Sequence, residues 1–292
     1  MFSISQLEQF SGIKAHTIRI WEQRYNALKP NRSEGNTRYY DDSQLRRLLN
    51  IVSLMNSGYT VSELCGMPDK KLFKIVDEKL NTNTGNEAIS EYFVSQLITA
   101  GMFFDESHFE KIFSSAMMRF GLKDAYIKVI YPLLLRMGLM WAIDKMPPSK
   151  EHFITNLIRQ KLFTAIDSLP PAKSSKDIWV LFLPENEFHE IGLLFSHYLI
   201  RQSGKKVIYL GTNVPLSTLA NAAKEIKPTH LLFFLVKNNI PGDSQLLIKE
   251  LTKYFIKTKM HVSGNEKLIS QLNIGKNIQW LKSVEEFTEI LL

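Results

Sequence analysis

The chain has 292 residues, 45% of them hydrophobic, and a formal charge of 36 − 29 = +7. That length suits about two domains with real cores, and the modest basic excess permits an anionic partner without demanding one. A single cysteine, Cys65, excludes an internal disulfide framework and a cysteine-built zinc cluster, and it fits a reducing cytosol. The opening residues, Met1-Phe-Ser-Ile-Ser-Gln, hold no basic segment followed by a long apolar run, so no signal peptide is expected. The longest apolar candidate, Tyr131 to Ile143, is broken by Arg136 and is too short for a bilayer. The expectation is a soluble, cytoplasmic protein without a membrane partner.

The first elements read as a DNA-binding head. Ile4 to Phe10 is a short helix, Gly12 permits a turn, and Ala15 to Tyr25 is a second helix. If Leu7, Phe10, Ile13, Ile18 and Trp21 share a small core, then His16, Thr17, Arg19, Ile20 and Arg24 lie nearer the other face. Such a face suits a recognition helix in a major groove. Lys29 to Tyr40 then reads as two strands about a Glu34-Gly35-Asn36 turn. From there Arg32, Arg38 and Tyr39 would meet phosphates or the minor-groove flank.

Beyond the head, residues 79–86 form a polar linker, and apolar residues return at helical spacing in four runs. The runs lie near 86–100, 106–119, 122–143 and 150–168, with Gly101, Gly121 and Pro147-Pro148 as stops, and they predict a four-helix bundle. After a second linker at 169–176, the period changes. Ile178–Leu183, Val207–Leu210, Leu231–Val236 and Met260–Val262 are short β-rich runs, with a weaker one at Ile278–Leu281. Helical stretches near 190–202, 216–226, 243–257 and 283–291 alternate with them. Nearly continuous apolar strands alternating with helices imply a parallel sheet covered on both faces, with ligands at the carboxyl ends of its strands. The expected architecture is multidomain, α and α/β. It comprises a winged helix-turn-helix over 1–76, a helical bundle over 86–169 and a flavodoxin-like (Rossmann-like) sheet over 177–292.

The head resembles the MerR family. Thr17-Ile-Arg-Ile-Trp-Glu22, a wing ending in Thr37-Arg-Tyr-Tyr40, and a second helical pair (Asp42-Ser-Gln-Leu-Arg-Arg-Leu-Leu and Thr60-Val-Ser-Glu-Leu) carry the likeness. The resemblance implies a transcriptional regulator bound to double-stranded operator DNA through His16, Thr17, Arg19, Arg24, Arg32, Arg38 and Tyr39. Metal-sensing members of that family use cysteines, and Cys65 alone does not supply them.

Two further signatures resemble the cobalamin-dependent MerR-type regulators of the CarH/LitR type. Trp141 is followed after nine residues by Glu151-His152, a signature of their bundle. Glu187-Phe-His189-Glu-Ile-Gly192 is similar to the acidic-x-His-x-x-Gly motif of cobalamin-binding domains. This resemblance implies adenosyl- or methylcobalamin as cofactor, with His189 as the cobalt axial ligand. Glu187 would fix the imidazole tautomer, and Gly192 would allow backbone close to the ligand. Trp141 would cap the upper axial group, with Glu151 and His152 on the same face. A homo-oligomer, dimer or tetramer, is implied too, and light is a possible signal.

Three positions depart from that pattern. Phe234 stands on the third strand where a Ser or Thr lines the tunnel for the nucleotide tail, and Ser263-Gly264 replaces a Gly-Gly pair after the fourth strand. Ala142 stands where photosensory relatives place a histidine. A second reading is therefore open: a regulator whose C-terminal domain no longer binds corrinoid and serves oligomerisation or protein interaction. An enzyme is not expected, because no nucleophile–base pairing stands out.

Overall fold

Ser3 starts the first helix, α1 (Ile4–Ser11), with a capping box: its hydroxyl accepts from the Gln6 backbone while Gln6 Oε1 accepts from Ser3 N. Gly12, at φ +73°, ends it in the left-handed region, where a side chain would be strained. The second helix, α2 (Ala15–Tyr25), buries Ile18 and Trp21 against Leu7 and Phe10, with Ile13 half-buried. The antiparallel strands β1 (Asn31–Arg32) and β2 (Arg38–Tyr39) form the wing. The computed structural model describes residues 2–32, 36–55, 58–79, 86–141, 147–172, 174–237 and 241–292. Glu34 and Gly35 of the predicted turn, and Ala142, lie outside them.

Three helices follow the wing: α3 (Asp42–Leu54), α4 (Val61–Gly66) and α5 (Asp69–Lys79). Arg47 of α3 holds the group together. Its Nε donates to Ala27 O at 2.7 Å, Nη1 to Met67 O at 2.9 Å and Nη2 to Cys65 O at 2.5 Å, and it pairs with Asp69. The α5 helix is absent from the sequence expectations because lysines and acids dominate it; Leu72 is its fully buried anchor.

Four longer helices come next: α6 (Asn86–Met102), α7 (Glu106–Ala125), α8 (Tyr131–Trp141) and α9 (Pro148–Asp167). Gly121 interrupts α7 with non-helical backbone (φ 70°, ψ 167°), and a π-helical turn, Tyr126–Ile130, leads into α8. The break falls at the predicted stop, Gly121, and the third run continues as helix through the π-turn to Trp141.

The chain groups into two units, Met1–Ile154 and Thr155–Leu292. Within the first, α6 packs on α3 of the head. The buried Gln96 amide donates to Asn50 Oδ1 (3.2 Å) and Ser53 Oγ (3.0 Å), and its oxygen lies 2.9 Å from His108 Nε2. Arg136 of α8 grips Glu91 through both terminal nitrogens, at 2.8 and 2.9 Å.

The second unit is built on five parallel strands: β3 (Ser174–Pro184), β4 (Lys205–Val214), β5 (His230–Leu235), β6 (Lys259–Gly264) and β7 (Ile278–Trp280). Helices α10 (Ile191–Gln202), α11 (Leu216–Ile226), α12 (Pro241–Tyr254), α13 (Glu266–Ile269) and α14 (Val284–Leu291) connect and follow them. Strand order is β4-β3-β5-β6-β7, so the winding reverses between β3 and β5. This is the flavodoxin-like order, and the reversal point at the strands' carboxyl ends is where such folds place their ligands. Val180, Phe182, Leu231, Phe233 and Val262 point to one face and pack with Leu219, Ile248 and Leu251 of α11 and α12. Alternation sends Trp179, Leu181, Leu232 and Phe234 to the other face.

That second face contains an aromatic stack. Trp179 lies 4.2 Å from His230 and 5.0 Å from His261, ring centroid to centroid, with Phe287 of α14 edge-on at 5.9 Å. His261 is 3% exposed, and neither of its ring nitrogens has a hydrogen-bond partner among the described residues. Burial, then His230 and Lys259, pushes its pKa down from 6.5 to about 4, and burial with Arg201 does the same to His197. His230 is also lowered, by burial first, with Lys259 and Lys205 adding to it and Asp177 opposing. A depressed histidine stabilises the fold fully above its unfolded pKa and loses that contribution as pH falls through the folded value. The urea midpoint of this unit is therefore expected to fall between pH 6.5 and 4. His261→Leu should raise stability by about 1–3 kcal/mol, because it removes unpaired buried polar atoms, and should leave His197 with most of the remaining acid sensitivity. A variant as acid-sensitive as the wild type contradicts this account.

Candidate functional site

Two surfaces hold the expected functional residues. On α2, His16, Arg19 and Arg24 are exposed, and Thr17 and Ile20 are half-buried. Gln23 is exposed as well, one turn beyond Arg19 on the same face, and was not singled out from sequence. On the wing, Arg32 is exposed and its Nη1 donates to Asn36 Oδ1 at 2.5 Å; Tyr39 is half-buried.

Arg38 differs in kind from these exposed cations. It is half-buried, and its Nε lies 3.6 Å from Glu22 Oε2, a carboxylate buried on the inner side of α2. Tyr40, fully buried, donates its hydroxyl to Glu22 Oε1 at 2.5 Å. Burial first, then the bond to Glu22, pushes the Tyr40 phenol well above its ordinary range. Glu22 therefore fastens the wing to the recognition helix, a role hidden in sequence because a glutamate on a helix normally reads as solvated. Tyr40→Phe is expected to destabilise the head by about 1–3 kcal/mol, since it leaves a buried carboxylate oxygen short of a donor. Thermal unfolding and operator affinity should fall together; unchanged values for both would remove Glu22 from this role.

In the second unit, the loop between β3 and α10 lies at the sheet's reversal point. Glu187 is 1% exposed, and its carboxylate organises the loop. Oε1 accepts from His189 Nδ1 at 2.6 Å and from the Phe188 and His189 backbone at 3.0 and 3.1 Å. Oε2 accepts from Val236 N at 2.9 Å and Lys237 N at 2.8 Å, just past β5. Burial works against the charge, but these hydrogen bonds, led by the His189 ring, outweigh it and hold the carboxyl at about 2. Nδ1 is thus the donor to Glu187, which orients the half-exposed ring with Nε2 as the second nitrogen. Phe188, 61% exposed, sets an apolar ring beside it.

Behind the loop is a second, unforeseen network. Glu190, one residue after His189, pairs with Arg159 of α9 at 2.5 Å and accepts from the Tyr209 hydroxyl at 2.8 Å. His197 stacks on Tyr209, with ring centroids 5.2 Å apart.

The remaining expected contacts are distributed as follows. The bare face of Gly192 is covered: a methyl built there would stand 2.7 Å from Phe234 Cε1, 3.2 Å from Cδ1 and 3.4 Å from Cζ. Ser263 Oγ donates to Leu281 O at 2.9 Å. Gly264, at φ +128°, would drive a Cβ to 2.3 Å from Leu235 O, so its lack of a side chain serves strand packing. In the other unit, Trp141 ends α8, with its side chain outside the described residues, and His152 Nδ1 lies 3.0 Å from Glu151 Oε2 on α9. Among the described residues no helix is long and apolar enough to cross a membrane, and no cluster of three or more His, Cys, Asp or Glu is placed to hold a metal ion.

Residues 2–67 match the MerR HTH family regulatory protein model. The HTH-type transcriptional repressor CarA of Myxococcus xanthus is 25% identical over 98% of this chain and 95% of its own. The repressor CarH of the same organism is 24% identical over 78% of this chain and 76% of its own. Among solved structures, the monomethylamine corrinoid protein of Methanosarcina barkeri superposes with a TM-score of 0.52 at 14% identity. That likeness covers 69% of this chain and 97% of the other, and it speaks to fold alone. Residues 2–67 are therefore a MerR-type helix-turn-helix domain, and the chain is similar to the CarA repressor over nearly its whole length and to CarH over about three quarters of it.

Proposed function

We propose that this protein is a transcriptional regulator whose N-terminal head binds operator DNA under the control of a corrinoid-binding C-terminal module. The observation that carries the reading is the Glu187–His189 pair at the sheet's reversal point. A buried, ionised carboxylate that accepts from Nδ1 leaves Nε2 as the lone-pair nitrogen, which is the state an imidazole needs to ligate a metal. A corrinoid bound there would supply a cobalt ion with an axial position for that nitrogen. The chain's own groups do the rest: Glu187 fixes the tautomer, Val236 and Lys237 hold Glu187, and Arg159 with Tyr209 holds the following residue, Glu190.

The residues fit this ligand unevenly. The donor loop suits the lower face of a corrin, whereas the Phe234 ring takes the space over Gly192 beside it. That ring favours the second reading, in which the module has become an oligomerisation or interaction domain without corrinoid. Incubation with adenosylcobalamin or adenosylcobinamide in the dark, desalting and an absorption spectrum separates the two. Retained corrinoid with imidazole-ligated bands supports the sensor, and a colourless protein with intact operator binding supports the alternative. Control by light, and operator binding as a dimer or tetramer, belong to the same proposal and are checked by illuminating the loaded protein and by sizing it before and after.

A further inference from the structure

We propose that Phe234 makes the C-terminal module selective for corrinoids that lack a nucleotide tail. The inference rests on the corrinoid reading above and narrows its ligand class. A complete cobalamin carries its own base on a nucleotide arm, and in the free cofactor that base occupies the lower axial position of cobalt. His189 can take the position only when the base leaves it. The displaced arm then needs room beside the histidine.

The adjoining room toward the sheet lies between the end of β5 and the start of α10, where the half-buried Phe234 ring stands against Gly192. Phe234 points to the α10 face of the sheet, and three of its ring atoms lie within 3.4 Å of the place where a Gly192 side chain would begin. Ring and glycine are complementary: the side chain that Gly192 lacks leaves the room the ring takes. The backbone that carries the ring is also anchored. Val236 N and Lys237 N, two and three residues further on, both donate to Glu187, so β5 cannot shift its end without breaking the bonds that orient His189. Deeper on the same face, Leu232 and His261 are buried and the rings of Trp179, His230 and His261 stack on one another. A tail entering here has to displace packed rings, whereas a corrin without a tail asks only for the imidazole and the exposed loop that carries Phe188.

The test is titration of the full-length wild type and Phe234→Ser with adenosylcobalamin and with adenosylcobinamide, in the dark, by calorimetry and absorption. The wild type is expected to bind adenosylcobinamide at least tenfold more tightly. In Phe234→Ser the ratio should shrink toward one, mainly through tighter binding of adenosylcobalamin. Equal or tighter binding of adenosylcobalamin by the wild type overturns the selectivity while leaving the corrinoid reading in place. Binding of neither ligand by either protein overturns the corrinoid reading, and the selectivity with it. The comparison of two ligands on the wild type needs no substitution, so it stands even if Phe234→Ser fails to fold. Phe234→Val, which leaves a smaller void, then supplies the second protein.

Discussion

His189→Ala is expected to abolish the imidazole-ligated absorption bands of the corrinoid-loaded protein and to weaken corrinoid binding by about 100-fold or more, the loss of a metal–ligand bond exceeding the 10- to 100-fold typical of outer-shell partners. The side chain is half-exposed and contributes little packing, so the unfolding midpoint should stay near that of the wild type. Glu187→Gln should do something different. The amide cannot carry the charge that the His189 ring and four backbone groups now satisfy, and it presents a donor where the loop supplies donors. It should therefore reduce both loop stability and affinity, with imidazole ligation still visible in the protein that does bind. Since the Glu187 carboxyl is held down at about 2, its contribution is complete above the ordinary carboxylate pKa of 4.5 and is lost as pH falls toward 2. The Glu187→Gln defect should accordingly be constant from pH 8 to 5. Identical spectra and affinities for wild type and His189→Ala would exclude this histidine as the ligand.

The second large effect is on DNA. Arg19→Ala should weaken operator binding about 10- to 100-fold while leaving the fold intact, because the side chain is exposed on the outer face of α2. If Arg19 reads a base, the loss should be confined to the cognate operator and the salt dependence should hardly change. If it meets a phosphate, affinity for all sequences should fall and the slope against salt should drop by about one. Arg38→Ala should act by another route. Its guanidinium lies against buried Glu22, so its removal loosens the wing and lowers the unfolding midpoint as well as the affinity. Competition assays at two salt concentrations, read beside thermal melts, separate the two arginines. A melt of Arg38→Ala identical to that of the wild type would count against the wing-docking role.

Much of this fold is legible in the sequence, for identifiable reasons. Strands buried on both faces need apolar residues at every position, so Ile178–Leu183 and Leu231–Val236 announce themselves as runs. The head is legible because the order Thr-Ile-Arg-Ile-Trp-Glu, wing, Thr-Arg-Tyr-Tyr is specific as a set. The α5 helix is not, because its short apolar set, Leu72, Phe73, Ile75 and Val76, sits among seven charged residues. Nor is α13, four residues long and started by the Asn265 side chain.

The site divides in the same way. Glu187 and His189 are two residues apart and are legible as a local motif. The partners that give the motif its chemistry, the amides of Val236 and Lys237, come from a strand about fifty residues later, placed beside the loop by the reversal of strand order. Glu22, Arg159, Glu190 and Tyr209 escape sequence reading because each is an ordinary polar residue until tertiary packing pairs it. Phe234 stands out in sequence only as a departure. Its meeting with Gly192, 42 residues away, depends on β5 and α10 being adjacent.

The most direct test of the central claim is operator affinity measured on the full-length protein with and without bound corrinoid, in the dark, for wild type and His189→Ala. The account predicts that adenosylcobinamide, and more weakly adenosylcobalamin, shifts the wild-type affinity by tenfold or more and leaves His189→Ala unmoved. A wild-type protein that holds corrinoid through His189 yet binds its operator equally well loaded and empty would contradict it.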